Sequence, residues 1–238
     1  MADSGNHRIQ VFDPNGTFLH QIGPAIASAE SGDRLSSPAA VAVNPQTNEV
    51  VVCDLGNHRI VIFDELGVFL RSFGGHGSSP GLFRDPRGVA ITREGGYVVA
   101  DRGNHRVQVF DSQGQFVREF GSWGAQRGEF DYPVAVAVMS DGGIVVADNL
   151  NWRLQVFDSQ GCFVRKITVR AYPTGVVVDA EDNFLVSHSS SGGISVYSRL
   201  GHLLKTFGEA ECRSGGVAVG PGGNIVVCDF FAHAVLVF

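Results

Sequence analysis

The stretch Asp101-Arg102-Gly103-Asn104-His105-Arg106-Val107-Gln108-Val109-Phe110-Asp111 decides the fold, because the chain writes it more than once. Asp54-Leu55-Gly56-Asn57-His58-Arg59 and Asp3-Ser4-Gly5-Asn6-His7-Arg8 repeat its opening. A fourth copy departs modestly at Asn151-Trp152-Arg153, a fifth loses the motif at Ser190-Ser191-Gly192-Gly193, and a sixth keeps a trace in Ala232-His233-Ala234. Self-similarity at a regular period marks a repeat architecture. The aromatic that closes the segment recurs at Phe12, Phe63, Phe110, Phe157, Tyr197 and Phe238, with spacings of 51, 47, 47, 40 and 41. The Asp that opens it recurs at Asp3, Asp54, Asp101, Asp148 and Asp229, with His188 in that place in the fifth copy. Two independent markers therefore count the same six units.

Working outward, each unit holds four short runs rich in Val, Ile and Phe, separated by Gly, Asn, Asp and Pro. Such a pattern predicts a four-stranded antiparallel meander, with strands a to d. Strand a, as in Val41-Ala42-Val43, is nearly continuous in apolar residues and is expected to be buried on both sides. Strand c alternates, so that Val107 and Val109 face one way while Arg106, Gln108 and Phe110 face the other. Between c and d lie Asp64-Glu65-Leu66-Gly67, Asp111-Ser112-Gln113-Gly114 and Asp158-Ser159-Gln160-Gly161, where Asp caps the turn and Gly supplies a positive φ. Helical periodicity is absent from the sequence. A radial array of such meanders is a six-bladed β-propeller. The first copy supplies only c and d and the sixth only a, b and c, for 21 expected strands. The first blade is thus incomplete at the N-terminus, which implies either further chain upstream or a ring closed by the N-terminal strand.

Composition agrees with one all-β domain over residues 1–238: hydrophobic residues make up 44%, charged residues 18%, and there are 31 glycines. The net charge of −6 does not favour bulk attraction to nucleic acid or to an anionic membrane, although a local basic patch remains compatible with it. There is neither a long apolar run nor a signal-peptide core, which points to a cytoplasmic protein. Cys53, Cys162, Cys212 and Cys228 form no CxxC pair and read as free thiols; Cys53 and Cys228 occupy the small buried slot of Ala100 and Ala147.

The Asp-x-Gly-Asn-His-Arg copies resemble the NHL repeat. The connector Phe83-Arg84-Asp85-Pro86-Arg87-Gly88 and the run from Ile225 to Phe238 resemble the C-terminal propellers of tripartite-motif NHL proteins. The resemblance implies a platform that recruits protein or RNA targets behind RING, B-box and coiled-coil segments. This sequence contains no Cys/His zinc cluster and no heptad stretch, so ubiquitin-ligase activity would need a RING segment outside it.

A histidine invites a catalytic reading, but His7, His58 and His105 recur blade after blade, which is the mark of scaffold. Asp54, Asp101 and Asp148 are expected to accept from turn amides, and Arg59, Arg106 and Arg153 to bridge blades. Function is expected where the copies differ. The d–a connectors and b–c turns lie at one end of a propeller, the top. The connectors span 16 residues (Ile22 to Pro38), 13 (Phe73 to Pro86), 13 (Phe120 to Pro133) and only 6 (Ile167 to Pro173), so the first three are expected to wall one side. The candidate ligand-binding residues of this top face are Arg84, Arg87, Arg102, Trp123, Arg127, Tyr132, Trp152, Tyr172, Arg213 and Phe230. Aromatics beside arginines clamp unpaired bases and also build protein hot spots. Acidic Asp85, Glu129 and Asp131 among them make the face mixed rather than basic.

Three functions compete. A protein-recognition propeller, the target-binding end of a tripartite-motif-like ligase or scaffold, comes first. A propeller binding single-stranded or stem-loop RNA comes second, separable by its salt dependence. An enzyme comes last. A metal-dependent propeller needs several inward His, Asp or Glu ligands, whereas the residues flanking the Pro slot offer only Asp85. No phosphate loop, nucleophile elbow or HExxH motif is present. No catalytic residue, metal, cofactor, membrane contact or small-molecule substrate is expected.

Overall fold

The computed structural model describes residues 1–23, 32–189, 193–208, 214–220, 222–229 and 232–238. Apart from one-turn 3-10 helices, its regular structure is β, arranged as six successive antiparallel meanders, and the fold is a six-bladed β-propeller. Blade 1 comprises β1 (Ala2–Asp3), β2 (Arg8–Phe12) and β3 (Phe18–Ile22). Blade 2 comprises β4 (Pro38–Val43), β5 (Val50–Asp54), β6 (Arg59–Phe63) and β7 (Phe69–Gly74). Blade 3 comprises β8 (Pro86–Ile91), β9 (Tyr97–Asp101), β10 (Arg106–Phe110) and β11 (Phe116–Phe120). Blade 4 comprises β12 (Pro133–Val138), β13 (Ile144–Asp148), β14 (Arg153–Phe157) and β15 (Phe163–Thr168). Blade 5 comprises β16 (Pro173–Val178), β17 (Phe184–His188), β18 (Ile194–Tyr197) and β19 (Leu203–Phe207). Blade 6 comprises β20 (Ser214–Val219), β21 (Ile225–Asp229) and β22 (Ala234–Val237).

The described strands number 22, one more than the sequence predicts. The addition is β1, in which Ala2 pairs with Ile9 and Asp3 with Arg8 as the stub of a strand b. Blade 1 still has three strands, so the incomplete first blade stands.

The chain divides into two compact units, Met1–Glu119 and Phe120–Phe238. In each, the core lies between consecutive sheets. In the first unit, Ile9, Ile22, Val52 and Phe63 form one cluster, and Val51, Ile60, Tyr97 and Phe110 another. In the second, Val145, Leu154, Phe184 and Tyr197 cluster between blades 4 and 5, and Leu185, Val196 and Val227 between blades 5 and 6. Blade surfaces meet face to face, and this explains why both faces of strand c are buried in β10 and β14.

The reading of strand a is corrected. Strand b is fully buried in β5, β9, β13 and β17, as strand c is in β10 and β14, whereas β4 is mostly half-buried and ends on exposed Val43. Strand a ends its sheet with one neighbour, so its apolar run is only partly covered; strand b is flanked on both sides. The c–d turns form as predicted. Asp111 Oδ1 accepts from the amides of Gln113 (2.9 Å) and Gln115 (2.8 Å), with Gly114 at φ +78°. Cys53 is buried, but Cys228 is only partly so, against expectation; it lies in β21 of the three-stranded sixth sheet, where cover is thinner. Cys212 lies outside the described residues. No helix among the described residues is long and apolar enough to cross a membrane.

Candidate functional site

The deciding motif is a buried polar hub. Asp101 ends β9 with no exposure. Its Oδ1 accepts from the Arg84 amide (2.8 Å), and its Oδ2 accepts from Asn104 Nδ2 (2.8 Å), Arg106 Nε (2.8 Å) and Gln108 Nε2 (3.0 Å). A buried carboxylate is tolerable only when paired and fully hydrogen-bonded, and here four donors converge on it. Asp54 and Asp148 repeat the hub, accepting from the amides of Ser36 and Asp131. Two expectations change. The amide each Asp accepts belongs to the d–a connector, not to the b–c turn. The arginines reach the connector before their own blade, as when Arg106 Nη2 donates to Ser79 O (3.0 Å) and Leu82 O (2.9 Å). The hub therefore fastens connector to blade, because the turn is already closed by its own backbone bond, His105 N to Arg102 O at 3.2 Å.

The connectors that follow β7 and β11 are folded alike. His76 bridges to Phe83, and Trp123 to Phe130. Phe83 and Phe130 are fully buried and fasten these loops to the core. Phe83 rests on Gly74, where an added Cβ would come within 2.4 Å of the ring and where φ is +97°. Glycine is needed there on both counts.

The motif histidines hold the left-handed conformation, with φ of 56°, 54° and 54° at His7, His58 and His105. Two of them clip one blade to the next within the first unit. His7 Nδ1 accepts the Ser37 amide at 2.9 Å, and His58 Nδ1 accepts the Asp85 amide at 3.1 Å. The structural reading of these two histidines follows from that geometry. Blade 4 departs: Trp152 takes the left-handed position at φ 52° and has no nitrogen lone pair with which to accept. Its ring instead meets that of Tyr172, edge to face, at 4.8 Å between centroids.

In the first unit the structure gathers Arg84, Arg87 and Arg102 around the start of blade 3. The Arg84 carbonyl accepts the Gly103 amide at 2.8 Å, and Arg102 lies 3.9 Å from the Asp85 carboxylate. Arg87 reaches solvent yet is closely hemmed by protein; that desolvation, with the Arg102 charge beside it, lowers its pKa. Asp85 also stands 3.6 Å from His58 Nδ1, and the His58 and His76 rings lie 4.7 Å apart.

In the second unit the aromatics gather. Asn151 Nδ2 donates to Gly124 O at 2.9 Å, tying the turn that carries Trp152 to the connector that carries Trp123. The amide of Asn149 donates to Tyr132 O (3.3 Å) and that of Leu150 to Asp131 O (3.1 Å), which draws Tyr132 to the same turn. Trp123 is 72% exposed, Leu150 46% and Trp152 45%, large values for side chains of this kind. Arg127 is exposed on the same connector and makes no ion pair among the described residues.

Of the ten predicted residues, three thus come together in the first unit and five in the second; Arg213 and Phe230 lie outside the described residues. The sequence reading omits His76 and Leu150. His76 has a signal, since it stands as far before Phe83 as Trp123 stands before Phe130. Leu150 has none, because an isolated Leu in an all-β sequence reads as core. Among the described residues no group of three or more His, Cys, Asp or Glu is placed to hold a metal ion.

Comparison with known proteins follows the same pattern. The NHL repeat family model matches residues 35–63, 83–110 and 130–157, which run through blades 2, 3 and 4. The chain is 33% identical over 96 residues to the protein brain tumor of Drosophila melanogaster, covering 40% of this chain and 8% of that protein. It is 34% identical over 96 residues to the B-box type zinc finger protein ncl-1 of Caenorhabditis elegans, covering 40% and 10%. It thus spans about a tenth or less of the length of these relatives. Among solved structures, a streptogramin B lyase superposes with a TM-score of 0.71 at 12% identity, over 99% of this chain and 76% of that one. At that identity the likeness is one of fold. With three NHL repeats matched in phase with blades 2, 3 and 4, the chain is a β-propeller that contains NHL repeats and resembles the propellers of tripartite-motif NHL proteins.

Proposed function

We propose that the chain is a non-catalytic interaction platform, the target-recognition propeller of a tripartite-motif-like ubiquitin ligase or scaffold. It binds protein through the rim made by its d–a connectors and b–c turns, and it works in the cytoplasm without a cofactor. One observation carries this reading. At Trp152 the repeat gives up the histidine clip and presents a half-exposed indole, on a turn that also carries exposed Leu150 and that Asn151 ties to the connector bearing exposed Trp123. Exposed aromatic clusters on a rigid scaffold are the usual anchors of protein interfaces. The B-box named for the relative ncl-1 supports a ligase or scaffold setting, with any ubiquitin transfer performed by a RING segment outside these residues.

RNA binding is the second reading, favoured by the grouping of Arg84, Arg87 and Arg102. Crosslinking the purified chain in cell extract, then identifying bound protein by mass spectrometry and bound RNA by sequencing, tests both. A protein partner whose binding changes little with salt and weakens about tenfold in Trp152→His supports the first. RNA bound with a steep salt dependence and weakened by Arg87→Ala supports the second and overturns the first.

A further inference from the structure

We infer that Asn15, in the turn between β2 and β3, is a site of spontaneous covalent modification: the Gly16 backbone nitrogen closes on its side-chain amide to form a succinimide, which water opens to aspartate or isoaspartate. The observation that carries it is a departure of blade 1 from its own repeat. The c–d turns of blades 1, 3 and 4 are Asp13-Pro14-Asn15-Gly16, Asp111-Ser112-Gln113-Gly114 and Asp158-Ser159-Gln160-Gly161. Each closes with a hydrogen bond of 3.0 Å from the glycine amide to the Asp carbonyl, and each glycine is left-handed, at φ +82°, +78° and +85°. The residue before the glycine is exposed in all three. Backbone, hydrogen bond and exposure are shared, and what changes is one methylene in that residue's side chain. Blades 2 and 5 carry Leu66 and Leu200 there, with no side-chain amide. Asn15-Gly16 is the one Asn-Gly pair in the sequence.

The methylene decides the chemistry. From asparagine, attack by the following backbone nitrogen closes a five-membered ring; from glutamine the ring is six-membered and closes far less readily. Glycine adds no Cβ to crowd the approach. The Gly16 nitrogen gives up its proton and bonds to Asn15 Cγ, the Cγ–Nδ2 bond breaks, and ammonia leaves with the proton. Water then adds to either carbonyl of the ring. Opening on one side restores the main chain as aspartate, and opening on the other routes it through the side chain as isoaspartate. Solvent water is the co-reactant, and nothing is oxidised or reduced. The turn sets the pace, because Gly16 N must first release Asp13 O, and Asp13 Oδ1 also holds the Asn15 and Thr17 amides at 2.9 and 2.8 Å. An exposed turn opens locally without global unfolding.

Conversion changes blade 1. The Thr17 and Asn15 amides hold the Asp13 carboxyl below the ordinary carboxylate range, so a new carboxylate at position 15 stands beside an existing anion. The isoaspartyl product also lengthens the main chain by one methylene ahead of Gly16, which draws the Thr17 amide off Asp13 Oδ1. Next to the turn Phe12 pairs with Phe18, their rings edge to face at 5.9 Å between centroids, and this end of the β2–β3 hairpin is the part that loosens.

The full chain is incubated in mildly alkaline buffer at physiological temperature and then digested. Mass spectrometry follows the peptides bearing Asn15, Gln113 and Gln160, and an isoaspartyl methyltransferase with labelled S-adenosylmethionine reads isoaspartate. The expected result is progressive loss of the Asn15 amide as isoaspartate accumulates, while Gln113 and Gln160 keep their amides. Asn15→Gln is expected to abolish both signals, and Asp13→Ala, which frees the turn, to speed the loss. Melting temperature is expected to fall with incubation in the wild type and to hold in Asn15→Gln. An Asn15 amide that survives incubation, or that is lost no faster than those of the two glutamines, overturns the inference. Aspartate formed without isoaspartate overturns the succinimide route, and an unchanged rate in Asp13→Ala overturns control by the turn.

Discussion

At the scale of single residues, this protein runs on one repeated exchange: a carboxylate is buried completely, and every lone pair direction it has is filled. Asp101 gathers a connector amide, an amide side chain, a guanidinium and a glutamine. The motif Asp-x-Gly-Asn-His-Arg is therefore a list of what one buried charge requires. Gly103 belongs to the list because an added Cβ would come within 2.5 Å of the Arg84 side chain. Removing the charge leaves buried Arg106 with only the half-exposed Glu119 carboxylate, 2.8 Å from its Nη1, as counter-ion, and takes the acceptor from its Nε. Asp101→Ala is expected to destabilise the chain by about 3–5 kcal/mol, the range for breaking a buried pair from one side. Asp101→Asn keeps an acceptor for the Arg84 amide and is expected to fall between the two. Thermal melts of the three proteins check this order; an unchanged melting temperature in Asp101→Ala would refute the hub as a source of stability.

At the scale of elements, the connector is what the hub exists to hold. The loop between β7 and β8 is tied by Asp101 and Arg106 at its polar end and by the Phe83 ring at its apolar end. Phe83 sits 5.5 Å from Phe110 and 6.4 Å from Phe73 between ring centroids. Phe83→Ala is expected to cost about 3–5 kcal/mol through lost burial and the cavity left behind. Hydrogen exchange should localise the damage: the amides of Gly77 and Phe83, bonded across the loop at 2.9 and 2.8 Å, should lose protection before those of β9 do. Protection lost evenly over blade 3 would show that the ring is core and not an anchor. Strand order and c–d turns are legible in the sequence because they rest on local rules, alternation and Asp-to-Gly turn chemistry. Trp152 is legible as a departure from its own repeat. The partner of His58 is not, since the amide it accepts lies 27 residues away and only the packing of consecutive blades brings it near. Nor is the gathering of Arg84, Arg87 and Arg102, which a connector and a turn supply from separate stretches. The burial of strand a is misread because an apolar run does not say how many neighbours a strand has.

At the scale of the whole molecule, the hub is graded along the chain. It is complete in blades 3 and 4; blade 2 carries Val61 where the glutamine stands, and blade 5 replaces its Asp with His188. This histidine is buried, with Nε2 3.0 Å from Ser195 Oγ, and desolvation holds its pKa below the ordinary 6.5. A neutral imidazole is what such a site accepts. The sign of the pH dependence follows. Above 6.5 the ring is neutral in both folded and unfolded chains and adds no slope. As pH falls below that value the unfolded chain takes a proton that the native chain resists, so stability declines until the lower, folded pKa is passed. The slope contributed is at most about 1.4 kcal/mol per pH unit. His188→Gln keeps a side chain able to hydrogen-bond Ser195 and removes the titration. Melting temperatures of the two proteins are expected to change in parallel from about pH 8 to about pH 7, then to diverge by about pH 5.5, with the wild type losing more. Every other titrating group is common to the two proteins, so the divergence isolates this ring. Parallel curves throughout would mean that His188 titrates as freely in the native protein as in the unfolded chain, and that blade 5 tolerates a charge where blades 2 to 4 demand one.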